Sequence, residues 1–489
     1  MSHPFLSPLP SPYPYPTPQP HARIIGLTDD ESEQFAVLAS TIAAKAGVNL
    51  TRRKLYDAKY RVNDLQISIP PQLRRLAMVV GWPGMVVDVL EERLDWDGFA
   101  VPGVSDDLGI GEIVAANQLD LDASLGHLGA LIYGVSFVAV GTGSEGEPEQ
   151  LITVESPMST TVAYDARRRR GTAGLTLTWD QASFSVTAAS LYLLNETVRL
   201  ERSAGGLFRV VDRDQHNLDR LALVRFANRP DVGSTDGRSE MTPAVVAHAE
   251  SAVRTLLGAE VSREFYSSPQ RYLLGADESA FTDADGNRKT GWETVLGRVW
   301  AIDSDENGNV PQVGQFTASS PAPYLELLRG YAQLLAAEAG MPSSYLGFVS
   351  DNPASADAIR AGEARLVKRA ERRQRVFGAA WSEVMRLALL IRDKELPAVA
   401  PVPLWRDAST PTRAAAADEA VKLVAAGILP ADSEVTLERL GFSEVDRDRI
   451  QADRRRAAGR GVLAGLAAAV GPVDDQAEPD SVNADLAAG

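Results

Sequence analysis

SDNPASADAIRAGEARLVKRAERRQRVF, residues 350–377, is the stretch on which the reading of the whole chain turns. From Arg360 to Arg375, seven basic side chains (Arg360, Arg365, Lys368, Arg369, Arg372, Arg373, Arg375) stand against two acids, Glu363 and Glu371, in a chain whose formal charge is −16. Asn352 before Pro353, or Ser355 with Asp357 in the first turn, can start a helix there. No strong breaker follows until Pro397, so the helix can run for about 40 residues, about 60 Å. At 3.6 residues per turn, Ile359, Leu366, Ala370, Phe377, Trp381, Val384, Ala388 and Ile391 share one stripe. Arg365, Lys368, Arg372 and Arg375 fall roughly 120 to 180° away. The stripe predicts a core-facing side, and the basic set a separate surface. That surface has three readings: a solvated face locally paired with Glu371 and Asp357, a contact with acidic surface of a neighbouring subunit, or a contact with a polyanion.

Just upstream, two further helices bracket an insert. Thr242 and Pro243 form an N-cap and first-turn pair, and Val246, Ala249, Val253, Leu256 and Leu257 give a stripe ending near Phe265. A second helix starts near Pro323, with Leu328 and Leu335 flanked by Leu325 and Leu334, and stops at Gly340 and Pro342. Between them lie short strands and polar turns, DADGNRKTG and DSDENGNV. The pattern is a helix, a small β-containing insert and a returning helix.

Residues 25 to about 230 read as one α+β unit. Phe35, Leu38 and Ile42 predict a helix, and Gln72 to Leu94 predict amphipathic helices broken at GWPG. DLDLDASLGHLGALIYGVSFVAVG reads as a helix running into a buried strand. ITVESP, TAGLTLTWD, FSVTAASLYLLN and FRVVDRD read as strands, with YDARRRRG as an exposed basic turn. After APVPLW come short helices, Thr412 to Ala426 and Glu444 to Arg460. The ends differ in kind: proline recurs at every second position from Pro8 in the N-terminal segment, while PVDDQAEPDSVNADLAAG carries five acids and no base. Both are expected to be disordered.

Composition narrows the function. At 489 residues the chain exceeds the size of a single core, so two to four structural units are expected. It has no cysteine, which excludes disulfides, thiolate zinc sites and cysteine nucleophiles. His3, His21, His127, His216 and His248 show no metal-ligand spacing. No run reaches the roughly 18 apolar residues of a membrane span, so a soluble protein without membrane contact is expected. The acidic balance argues against tight non-specific binding to nucleic acid.

The motif search finds little chemistry. GTGSEG (141–146) matches a dinucleotide fingerprint, but EPEQ and a strand follow it where a helix should open, so it reads as a hairpin turn. DSDENGNVPQVG places Gly314 where a calcium loop needs its bidentate glutamate, and so reads as a polar turn. G-x-x-x-x-G-K-[ST], H-E-x-x-H and G-x-S-x-G are all missing. No catalytic, cofactor or metal site is predicted.

The ordered combination of LRRLAMVVGWPGMVVDVLEERLDWDGF (73–99), HLGALIYGVSFVAVG (127–141), VESPMSTTVAYD (154–165), GRSEMTPAVVAHAESAVRTL (237–256), SREFYSSPQRYLLGAD (262–277) and MPSSYLGFVSDNPASADAIRAGEARLVKRAERRQRVFG (341–378) resembles phage portal proteins of the SPP1 type. The resemblance covers about Leu55 to Asp393. It implies an α+β portal-like protomer with a disordered proline-rich arm (1–24) and an α/β wing (25–242). A stem helix (243–266), a β-containing clip (267–320) and a second stem helix (321–342) would follow. After these it implies a tunnel loop (343–353), a long wing helix (354–397), a helical crown (398–470) and a disordered acidic tail (471–489).

It further implies a homo-oligomeric, dodecameric ring in the virion, at the portal vertex of the capsid and in the host cytoplasm during assembly. Double-stranded DNA would pass through it. The terminase large subunit, a head-tail connector protein and the major capsid or scaffolding protein would be its partners, with no cofactor and no enzymatic activity. Ser343, Ser344, Tyr345, Ser350 and Asn352 would face the DNA channel. Arg365, Lys368, Arg372 and Arg375 would meet DNA or a neighbouring subunit. The alternative is a non-portal virion adaptor or nucleic-acid-binding protein using the basic face 365–375.

Overall fold

The structure, a computed structural model, describes residues 24–61, 78–103, 107–180, 185–203, 206–233, 235–266, 271–274, 312–315, 320–348, 355–409, 411 and 413–469. The proline-rich arm up to residue 23, most of the expected clip, the tunnel-loop positions Ser350 and Asn352, and the acidic tail lie outside these residues. The chain divides into two compact units, residues 1–409 and 410–489.

In the first unit, α1 (Asp29–Tyr56) opens on a capping box: Thr28 Oγ1 accepts from the Glu31 backbone N–H (3.3 Å) while Glu31 accepts from that of Thr28 (2.8 Å). After α2 (Trp82–Glu91), with Pro83 in its first turn, come β1 (Trp96–Ala100), α3 (Ile110–Ala116) and α4 (Leu119–Tyr133). α4 ends on Gly134 in the left-handed region (φ +90°), which turns the chain directly into β2 (Val135–Thr142). The strands β3 (Gln150–Glu155), β4 (Thr160–Asp165), β5 (Arg170–Asp180), β6 (Ser185–Tyr192), β7 (Thr197–Arg202), β8 (Phe208–Asp214) and β9 (Leu223–Ala227) follow.

β4 to β8 form an antiparallel sheet in sequence order, and β2 is central in an antiparallel β3-β2-β9 sheet. α1 covers the five-stranded sheet with Phe35, Leu38 and Ile42 against Leu175, Leu191 and Leu200. The run VSFVAV in β2 is buried throughout because it is covered on both faces. Val138 and Val140 join the main core, while Val135, Phe137 and Ala139 pack with Leu221 and Leu223. GTGSEG is the turn between β2 and β3, with Gly146 at φ +89°.

α5 (Pro243–Tyr266) and α6 (Ala322–Ala339) pack against each other, and β10 (Arg271–Leu274) pairs antiparallel with β11 (Gln312–Gln315). On α6 the buried face is Leu328, Ala332, Leu335, Ala336 and Ala339. Leu325 and Leu334, expected to flank that stripe, are exposed, because alanines complete the packed side. A 3-10 turn (Ser343–Leu346) leads toward α7 (Ala356–Asp393), the helix of 38 residues anticipated from the opening stretch.

β12 (Val402–Trp405), from APVPLW, pairs antiparallel with β1, which sequence periodicity did not announce for either strand. Residues up to Ser409 therefore belong with the first unit. The second unit contains α8 (Arg413–Ala425), α9 (Glu434–Arg439), capped by Ser433, and α10 (Glu444–Ala469).

Candidate functional site

α7 organises the main core. Ser355 caps it by accepting from the Ala358 N–H at 3.2 Å. Leu366, Ala370, Phe377, Trp381, Val384, Ala388 and Ile391 are buried, as the 3.6-residue period requires. Ile359 departs from the expected stripe: it is 52% exposed, because the buried side of the helix begins only at Leu366. Trp381 donates from Nε1 to His127 Nε2 at 2.8 Å, and His127 lies parallel to Phe377 with ring centroids 5.3 Å apart. Burial pushes the His127 imidazole down to about 3, so it is a neutral acceptor in an aromatic core.

The seven basic residues of α7 divide by direction. Arg365, Lys368, Arg372 and Arg375 are all exposed and one face carries them. Their local chemistry differs. Arg365 Nη1 donates to the Ala337 carbonyl at 2.9 Å, a cation at the last turn of α6 sharing that oxygen with the Gly340 N–H (3.3 Å). Lys368 pairs with Glu371 at 2.7 Å, and Arg375 Nε reaches the Glu371 carbonyl at 3.4 Å. Arg372 has no carboxylate within ion-pair distance among the described residues.

Arg369 and Arg373 turn the other way and both bind Glu240, which lies just before α5 and whose side chain is fully buried. Arg229 stands 3.6 Å from the same carboxylate. Asn228 joins the group, donating to Glu240 at 3.1 Å and accepting from Arg373 Nε at 3.2 Å. Burial alone would raise the Glu240 carboxyl; Arg373, Arg369 and Arg229 outweigh it and hold the group below the usual carboxylate range.

The backbone around Glu240 explains its placement. Its N–H donates to the Leu131 carbonyl at 2.9 Å, and Asn228 N–H donates to that of Gly134 at 2.9 Å. Gly237, at φ +78°, passes so close that a Cβ there would lie 2.3 Å from the Gly134 oxygen. Only glycine fits.

The turn before α7 is anchored as well. The Tyr345 hydroxyl donates to Glu363 and receives a hydrogen bond from Arg93 at 3.1 Å. Arg93 also reaches Glu363 at 3.2 Å and the Ala408 carbonyl at 2.7 Å. Of the channel residues expected from the sequence, Ser344 is exposed, Ser343 is half-buried, and Tyr345 is half-buried with its hydroxyl engaged. Phe348 packs edge-on against Trp82 in the first turn of α2, which GWPG opens.

Arg93, His127, Asn228 and Glu240 were not singled out from the sequence. Their partners lie far along the chain, and the available signal was only that GRSEMTP sets an acid two residues before a helix cap. Among the described residues no group of histidines and acids could hold a metal ion, and no helix is long and apolar enough to cross a membrane.

Residues 44–459 match the family described as phage portal protein, SPP1 Gp6-like. The chain is 31% identical over 423 residues to the portal protein of Mycobacterium phage D29, covering 83% of this chain and 86% of that protein. It is 30% identical over 423 residues to the portal protein of Mycobacterium phage L5, covering 83% and 85%. A solved structure, the neck of an empty GTA particle computed with C6 symmetry, aligns with a TM-score of 0.44 at 14% identity, covering 78% of this chain and 94% of that one. A likeness so distant adds nothing to the sequence match, which by itself places this chain in the SPP1 Gp6-like family of phage portal proteins.

Proposed function

We propose that copies of this portal protein form a dodecameric ring at one capsid vertex and that double-stranded DNA passes through its centre during packaging and ejection. The observation that carries this reading is the family match across residues 44–459. Portal proteins are structural components of the virion, and this one acts as a conduit and docking hub rather than as an enzyme. Terminase large subunit, head-tail connector protein and major capsid or scaffolding protein are its partners in this reading.

Within it, α5 and α6 are the stem, 267–320 the clip, 343–353 the tunnel loop, α7 the long wing helix and 398–470 the crown. Ser343, Ser344, Tyr345, Ser350 and Asn352 line the channel. A formal charge of −16 supports a conduit that holds DNA weakly, since phosphate neutralisation needs a basic surface. Electron microscopy of the purified protein should show rings with a central hole; a protein that stays monomeric and never enters procapsids as a ring would overturn the reading.

The exposed cations Arg365, Lys368, Arg372 and Arg375 favour a second reading, duplex binding along α7. A salt titration separates the two. Tight binding at low salt that falls steeply with added salt would favour a nucleic-acid-binding protein, and weak binding throughout would favour the conduit.

A further inference from the structure

β4 and β5 form a hairpin whose tip reads Asp165-Ala166-Arg167-Arg168-Arg169-Arg170. Pairing of β5 with β4 continues to Asp165↔Arg170, whereas pairing of β5 with β6 reaches only Gly174↔Tyr192. Residues 170–173 therefore overhang the neighbouring strand, by about 13 Å at 3.3 Å per residue, and carry the turn with them. The overhang is braced at its base. A Cβ on Gly171 would lie 2.5 Å from Leu221 Cδ2, so the hairpin rests closely on the Leu221 side chain.

The tip concentrates charge without local relief. Its one carboxylate is spent on the turn: Asp165 Oδ1 accepts from the N–H groups of Arg167 (2.9 Å) and Arg168 (3.0 Å), and Oδ2 lies 3.7 Å from Arg168 Nε. Residues 166–170 are exposed, and Arg167, Arg169 and Arg170 have no carboxylate within ion-pair distance among the described residues. Arg169 occupies the left-handed region (φ +55°), where glycine or asparagine costs less.

The opposite imbalance occurs at the end of α2. Asp88, Glu91, Glu92 and Asp95 stand together, and burial plus the Asp95, Asp88 and Glu92 charges push the Glu91 carboxyl up to about 7. Asp88 accepts from the Tyr56 hydroxyl (2.8 Å), but Glu91, Glu92 and Asp95 meet no cation within ion-pair distance among the described residues. Arg93, in their midst, turns to Glu363.

We propose that the arginine-tipped β4–β5 hairpin of one copy docks on the Asp88–Glu91–Glu92–Asp95 surface of a second copy. Two charge groups of opposite sign, unmet among the described residues of one chain, are each neutralised when copies of the same chain adjoin. This contact rests on the ring proposed above and names the surfaces that would join its neighbours.

The absence of cysteine makes the contact directly testable. In an Arg169→Cys, Glu92→Cys double variant, oxidation should give a ladder of covalently joined copies that neither single variant gives beyond a dimer. Rings in electron micrographs without a ladder would overturn this contact while leaving the ring intact; neither rings nor a ladder would overturn both. In a second arm, Arg168→Glu with Arg169→Glu, and separately Glu91→Lys with Glu92→Lys, should each weaken association roughly tenfold or more at low salt, and combining all four should restore it. Failure of the combination to restore association would overturn the pairing, as would a hairpin reversal that leaves association unchanged and instead abolishes binding of duplex DNA.

Discussion

Arg373 and Glu240, 133 residues apart in sequence, form a buried ion pair that ties the start of α5 to the middle of α7. Arg369 shares the same carboxylate one turn earlier. Removing the carboxylate would leave two guanidiniums buried without their counter-charge. Glu240→Gln should therefore destabilise the protein by about 3–5 kcal/mol. Lys368→Ala, at an exposed pair, should cost under about 1 kcal/mol. Urea unfolding of the two variants beside the parent checks the contrast; equal midpoints would contradict it.

The loop that presents Glu240 depends on two glycines. Gly237→Ala combines a positive φ with contacts of 2.3 Å to the Gly134 oxygen and 2.5 Å to that of Asn228, so a loss of about 1–3 kcal/mol is expected. Gly47→Ala is the control with the opposite sign. Gly47 lies inside α1 with open space around it, and alanine there should stabilise by roughly 0.5–1 kcal/mol. Thermal unfolding should move down for the first variant and up for the second.

His127 makes stability depend on pH below neutrality. Its folded value, about 3, lies below the ordinary 6.5, so the unfolded chain binds a proton that the folded one refuses. The contribution is complete above pH 6.5 and is lost as pH falls toward 3, at about 1.4 kcal/mol per unit. His127→Gln, which keeps an acceptor for Trp381 Nε1 but does not titrate, should flatten the profile between pH 6.5 and 4. Glu240, also held below its ordinary value, acts in a lower window: its contribution is present above pH 4.5 and is lost as pH falls further. Denaturant midpoints measured at several pH values distinguish the two windows.

Arg372 allows function to be probed apart from folding. It is exposed and meets no carboxylate among the described residues, so Arg372→Glu should change stability by less than about 0.5 kcal/mol. Loss of packaging in a complementation assay with rings intact would then report a channel role for the basic face. Loss of rings would report a contact between subunits, and an unchanged virion yield a solvated face.

Legibility from the sequence followed periodicity. The stripe from Leu366 to Ile391 and the opposite cations Arg365, Lys368, Arg372 and Arg375 obey one helical period, so both faces of α7 could be assigned without coordinates. VSFVAV announced a buried strand by its mostly apolar run. Pairings across long separations left no periodic trace. Arg369 and Arg373 look in sequence like members of the exposed basic group, and only the position of Glu240 recruits them to the interior. Ile359 fits the period, but the packed part of α7 begins at Leu366, about two turns later than its hydrophobic pattern. β1 and β12 are short strands with a bulge, too brief for alternation to mark them.

The β1–β12 ladder has a consequence during synthesis. It joins Trp96 to Trp405, its flank carries the Arg406–Asp97 ion pair across 309 residues, and Trp96 stacks on Trp381 behind it. A ribosome translating this chain has made most of the first unit before β1 acquires its partner, so that unit closes late and as a whole. Chains terminated before about residue 405 lack the closing strand and the partner for Arg93 at Ala408. They should be cleared by proteases, which, in the ring proposed above, would act as a length check on subunits before they meet.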